Sequence, residues 1–167
     1  EKDFAINHPS GQLGKELTLK VEDLMKHRDE LKPLSLNSSF LEVISELTRS
    51  GIGSCWIKDE KNTKKLIGII TDGDLRRALR HYEPNVWESL VAEEIMTKDP
   101  IIIEPDIFAI EALKLMEDNS KKQSVSVLPV INVKSEFLGI LRLHDLVQAG
   151  LKENKRIFSY FLVSFDI

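Results

Sequence analysis

The sequence predicts an α+β protein in which two β-α-β-β-α copies pack as a pseudo-twofold pair. Three observations predict it: a tandem repeat, the same order of extended and helical patterning in each copy, and copies too short to stand alone. The repeat comes first. Val21-Glu22-Asp23-Leu24-Met25 returns as Ala92-Glu93-Glu94-Ile95-Met96 at an offset of 71. Phe40, Val43, Ile44 and Leu47 return as Ala109, Ala112, Leu113 and Met116 at an offset of 69. Leu66-Ile67-Gly68-Ile69-Ile70 returns as Phe137-Leu138-Gly139-Ile140-Leu141, with Asp74 on Asp145 and Leu75 on Leu146, back at 71. Three blocks in the same order establish a duplication, and loops flanking the first helix absorb the drift.

Each copy opens with a short helical turn ending near Met25 or Met96, followed by an extended segment, residues 31–36 or 100–105. An amphipathic helix comes next, with Asn37 or Asp106 as its N-cap. Its apolar positions fall at i, i+3, i+4 and i+7, one helical face, and Gly51 is placed to end the first of these helices. Two apolar strands follow: residues 54–58 and 66–70 around the polar stretch 59–65, then 125–130 and 137–141. A final helix starts after Thr71 or Arg142, and Gly150 supplies the stop for the second. A copy of roughly 60 residues buries too little surface to be stable alone. Packing two sheet to sheet solves this and leaves a cleft between them. The expected divisions are 1–20 as a linker or remnant, 21–84 and 85–151 as the copies, and 152–167 as an apolar tail.

Composition narrows the function classes. The 167 residues are 42% hydrophobic and 30% charged, the balance of an ordinary globular protein. Lys and Arg total 23 against 27 Asp and Glu, a net charge of −4. That opposes sequence-independent nucleic-acid binding, which needs a basic surface to displace counterions. No window reaches the roughly 20 apolar residues of a membrane span. The single Cys55 lies in an apolar run, a buried free thiol suited to a reducing compartment. No export signal opens the chain, so the expected location is cytoplasmic. The first residue is Glu1 rather than Met, which suggests a fragment of something longer.

No catalytic pattern emerges. His8, His27, His81 and His144 are scattered without partners at metal-ligand spacing, and no nucleophile elbow, Walker loop or dinucleotide fingerprint is present. The reading therefore carries no metal and no cofactor. The informative run is Gly68-Ile69-Ile70-Thr71-Asp72-Gly73-Asp74-Leu75-Arg76-Arg77. It reads in two ways. In one, Thr71 and Asp74 form a capping box that needs no ligand. In the other, a strand ending before a helix N-terminus receives a polyol or phosphate. Asp74 then accepts from two ribose hydroxyls while Arg76 and Arg77 supply positive charge. The residues alone leave both open.

Gly68, Thr71 and Asp74 resemble the Gly-h-h-Thr/Ser-x-x-Asp signature of CBS domains, and the duplicated layout resembles a CBS pair, or Bateman module. That resemblance implies a regulatory module binding adenosyl or other nucleotides in its cleft, the Thr and Asp holding the ribose. The second copy keeps Gly139 and Asp145 but has Arg142 where the signature has a hydroxyl. One good site rather than two is expected. The run Phe4-Ala5-Ile6-Asn7-His8-Pro9-Ser10-Gly11, leading into Val21-x-Asp23-Leu24-Met25, is similar to the junction in D-arabinose 5-phosphate isomerases. There a sugar isomerase domain precedes a CBS pair. The run Thr71 to Arg77 and the segment Leu143-His144-Asp145-Leu146 resemble that family too.

The resemblance makes His8 the match of an isomerase active-site histidine, inactive here because the rest of that domain is missing from the chain. The implied parent interconverts ribulose 5-phosphate and arabinose 5-phosphate for synthesis of the lipopolysaccharide sugar Kdo. CMP-Kdo, with a ribose and a phosphate, is the implied feedback ligand, and an adenine nucleotide is the alternative. The implied partners are such a nucleotide or nucleotide-sugar, the missing isomerase domain and a second copy in a homodimer, with no nucleic acid and no membrane. The aromatic tail, Ile157 to Phe165, is expected to pack on the module or on a dimer partner. Two rival classes remain: an enzyme fragment with His8 as its remnant, and a purely structural dimerisation module.

Overall fold

A computed structural model describes residues 18–117 and 125–151. His8 and the aromatic tail lie outside the described residues. In chain order the elements are α1 (Val21–Leu24), β1 (Lys26–His27), α2 (Phe40–Ser50), β2 (Ser54–Lys58), β3 (Leu66–Thr71) and α3 (Asp72–His81), then α4 (Ala92–Ile95), β4 (Thr97–Lys98), α5 (Ala109–Glu117), β5 (Val127–Ile131), β6 (Phe137–Arg142) and α6 (Leu143–Gln148). The second set repeats the first, as the sequence predicts.

The strands form two three-stranded antiparallel sheets whose membership crosses between the copies. One sheet runs β2-β3-β4 and the other β1-β6-β5. Each copy thus lends its first short strand to the other's sheet: Lys26 and His27 pair with Ile140 and Gly139, while Thr97 and Lys98 pair with Ile69 and Gly68. The preceding helical turns cross with them. Val21 packs in the second copy's core with Ala112, Leu113 and Leu146, whereas Ala92 and Ile95 pack in the first copy's core with Val43 and Ile70. The segments expected to be the first strands, 31–36 and 100–105, make only single parallel bridges, Leu34 to Ile57 and Ile103 to Val130.

The glycines of the repeat explain how the lent strands fit. A Cβ at Gly68 would lie 2.7 Å from the Met96 sulfur and 3.0 Å from the Thr97 carbonyl. At Gly139 it would run into the backbone of Lys26. The absent side chain is what admits the crossing strand. The sheets face each other through a third cluster, where Trp56 stacks on Phe137 at 4.4 Å among Leu31, Ile52, Ile69, Val127 and Ile140.

Two helix starts differ from expectation. α2 is capped by Ser39, not Asn37: the Ser39 hydroxyl accepts from the Glu42 amide and the Glu42 carboxylate accepts from the Ser39 amide at 2.8 Å. The bridge between Ser39 and Val91, and the Phe40 amide donating to the Leu90 carbonyl, hold the chain extended up to that point. α5 likewise begins at Ala109, after the bridge from Phe108 to Lys20, rather than beside Asp106. Gly51 ends α2 in the left-handed conformation at φ 63°, as expected.

Candidate functional site

β3 ends at Thr71, and the chain turns directly into α3. The turn holds because Thr71 and Asp74 cap reciprocally. The Asp74 amide donates to the Thr71 hydroxyl at 3.3 Å, and an Asp74 carboxylate oxygen accepts from the Thr71 amide and hydroxyl, each at 2.8 Å. The capping box is therefore present. It does not exhaust the carboxylate. The other oxygen accepts from the Thr97 hydroxyl at 3.0 Å and from an Arg77 guanidinium nitrogen. Asp74 is 5% exposed, so a bare charge there would be costly, and four donors compensate it. Thr97 carries no signal in the sequence, since it reaches Asp74 only because β4 is lent to β3.

This cap borders a cleft of about 980 Å³ lined by both copies. The first copy contributes Ile52, Gly53, Ile69, Thr71, Asp74, Arg76 and Arg77, and the second Ile101, Val125, Val127, Arg142, Leu143 and His144. The lining mixes apolar side chains with three guanidinium groups, of Arg76, Arg77 and Arg142, and three carboxylates, of Asp72, Asp74 and Asp99, so it offers apolar contact together with hydrogen-bond donors and acceptors. Gly53, with φ 69°, turns its carbonyl to accept the Asp72 amide at 3.0 Å and so ties β2 to the start of α3. This role of Gly53 has no signature in the sequence, because it depends on the fold bringing Asp72 beside it.

Of the predicted site residues, Thr71, Asp74, Arg76 and Arg77 meet at this cleft. Gly68 lies beneath Met96 and Thr97, and Asp145 is held apart by its own neighbour. The Arg142 guanidinium grips the Asp145 carboxylate through Nε at 2.8 Å and Nη2 at 2.5 Å, while the Arg142 amide donates to it at 3.1 Å. Those hydrogen bonds to Asp145 push the Arg142 pKa above the usual arginine value. The carboxylate that matches Asp74 is thus occupied by the residue that replaced the hydroxyl. Cys55 is buried as expected, and desolvation pushes its thiol up to about 12.

The CBS domain pattern matches residues 21–81 and again 91–152. The chain belongs to the CBS-domain family. Among curated relatives, arabinose 5-phosphate isomerase KdsD of Pseudomonas aeruginosa is 40% identical over 151 residues, covering 90% of this chain and 44% of that protein. The Francisella tularensis KdsD is 38% identical over 152 residues, covering 91% and 44%. The chain therefore spans less than half the length of these relatives. Solved CBS structures share the fold. A CBS domain-containing protein of unknown function from Bacillus anthracis superposes with a TM-score of 0.68 at 19% identity, over 85% of this chain and 99% of that one. CBSX2 in complex with AMP gives 0.62 at 20% identity, over 78% and 95%. The CBS pair of MJ0100, in complex with 5-methylthioadenosine and S-adenosyl-L-methionine, gives 0.61 at 26%, over 78% and 94%. No helix among the described residues is long and apolar enough to cross a membrane.

Proposed function

We propose that this CBS pair is the regulatory, ligand-sensing part of a cytoplasmic arabinose 5-phosphate isomerase supplying Kdo synthesis, and that its cleft takes a nucleotide or nucleotide-sugar. The observation that carries the proposal is Asp74, a buried carboxylate at a helix N-terminus facing a two-copy cleft with Arg76, Arg77 and Arg142 on its lining. The identity to KdsD proteins supports the parent activity, and the family resemblance assigns that activity to His8 and the isomerase domain rather than to the pair. The AMP- and adenosyl-bound relatives support a ribosyl ligand.

CMP-Kdo is the leading ligand, because it combines a ribose with an anionic phosphate and ends the pathway the parent feeds. An adenine nucleotide is the alternative. Calorimetric titration with CMP-Kdo, AMP, ATP and CMP separates them, and Asp74→Ala should abolish detectable binding. Unchanged affinity in that variant sinks the site. A homodimer belongs to the same reading, and a monomeric mass by sedimentation overturns that part.

A second reading has its own observation. Asp74 already has four donors, so Thr71 and Asp74 can cap α3 with no ligand at all. Silence from all four nucleotides would favour a structural dimerisation module.

A further inference from the structure

The four donors on Asp74 are unequally anchored. The Thr71 amide and hydroxyl are fixed by the cap, and the Thr97 hydroxyl is fixed by pairing of β4 with β3. Arg77 is different. Its side chain is 63% exposed, it lies on the cleft surface, and the carboxylate is the group that holds its guanidinium inward. A ligand diol can reach Asp74 only by displacing a donor, and Arg77 is the one free to swing.

We propose that Arg77 is a specificity-determining residue that makes the cleft select a phosphorylated ribosyl ligand over the corresponding neutral nucleoside. The inference rests on the nucleotide reading of the cleft. A nucleoside that takes the Asp74 carboxylate exchanges a charge-assisted bond for neutral hydroxyl bonds and leaves the guanidinium without an anion. A phosphorylated ligand makes the same exchange but returns an anion to the released arginine, so the ion pair is replaced rather than lost. Arg77 thus opposes the neutral ligand and is neutral or favourable toward the charged one. This differs from an arginine that only attracts phosphate, whose removal has no reason to improve nucleoside binding. In the second copy the same competition is closed off, since Arg142 holds Asp145 through two nitrogens with only 21% of its side chain exposed.

The test is titration of wild type and Arg77→Ala with AMP, CMP and CMP-Kdo against adenosine and cytidine. The expected result has opposite signs: nucleosides bind R77A more tightly than wild type, phosphorylated ligands bind it more weakly, and their ratio falls by about tenfold or more. Arg77→Gln, which keeps a donor without the charge, gives the same readout should R77A fail to fold. Phosphorylated ligands that bind while nucleosides gain nothing in either variant overturn the inference and leave the nucleotide reading standing. Absence of binding by every ligand to folded wild type overturns both.

Discussion

The two helix starts, Thr71 with Asp74 and Arg142 with Asp145, share a backbone and differ in where the arginine stands. In the first copy the N-cap is a hydroxyl and the arginine comes from a turn further along the helix, so it covers the carboxylate from the solvent side. In the second the arginine is itself the N-cap and grips the carboxylate from within. Asp74, 5% exposed, lies under an arginine that is itself 63% exposed, whereas Asp145, 15% exposed, is held by an arginine only 21% exposed. A duplicated fold can keep both caps for stability while surrounding each with different side chains.

The comparison can be broken most severely through its glycines. Gly139→Ala drives a methyl group into the Lys26 backbone, which cannot yield locally, so β1 should leave its sheet at a cost of about 3 kcal/mol or more. Gly68→Ala meets the Met96 side chain, which can turn aside, and the Thr97 carbonyl at 3.0 Å, which must give slightly, so it should cost about 2 kcal/mol. Urea denaturation of the two variants checks the order, and equal losses would contradict it.

Arg142→Thr makes the second start resemble the first. It frees Asp145, and if the nucleotide reading of the cleft holds, the ligand stoichiometry should rise from one to two per chain, read by calorimetry with CMP-Kdo and AMP. A stoichiometry unchanged at one would mean that more than the arginine separates the two ends.

A third contrast lies in the cores, where Cys55 pairs with Ile70 in register while the corresponding pair in the second copy is Leu128 with Leu141. Burial raises the Cys55 thiol from near 9 to about 12, so the folded chain holds a proton that the unfolded chain releases. Stability is therefore fully present below about 9 and falls as pH rises from there toward 12. Cys55→Ala should remove this alkaline slope in thermal unfolding across that range, and the native thiol should resist alkylation at neutral pH. The smallest effect is expected of Thr97→Val. It removes one donor from Asp74 and should lower stability by about 1 kcal/mol, measured by thermal denaturation.

What was legible in the sequence is what depends on near neighbours. The duplication, the α2 apolar face and the reciprocal cap of Thr71 with Asp74 all follow from spacings of a few residues. The three-residue step from Asp74 to Arg77 is equally local, but that spacing suits an ion pair with the carboxylate one turn before and a reach toward a phosphate alike, so it does not choose between them. The strand exchange was illegible for a physical reason. A two-residue strand has no period, and its partner is chosen by an edge far along the chain. The trace it leaves is a glycine inside each of the apolar runs 66–70 and 137–141, where a close backbone approach is the usual reason for one. The choice of Ser39 over Asn37 had the same origin, since both cap well and the bridge to Val91 decides between them.

The lent strands also set an order on assembly. As the chain leaves the ribosome, β2 and β3 can form a hairpin at once, but their sheet lacks an edge until Thr97 and Lys98 have been made. Lys26 and His27, made early, have no partner until Phe137 to Arg142 emerge. Neither copy can be finished first. The pair must therefore lock in one late step, and a chain stopped between the copies holds two unfinished edges instead of half a protein.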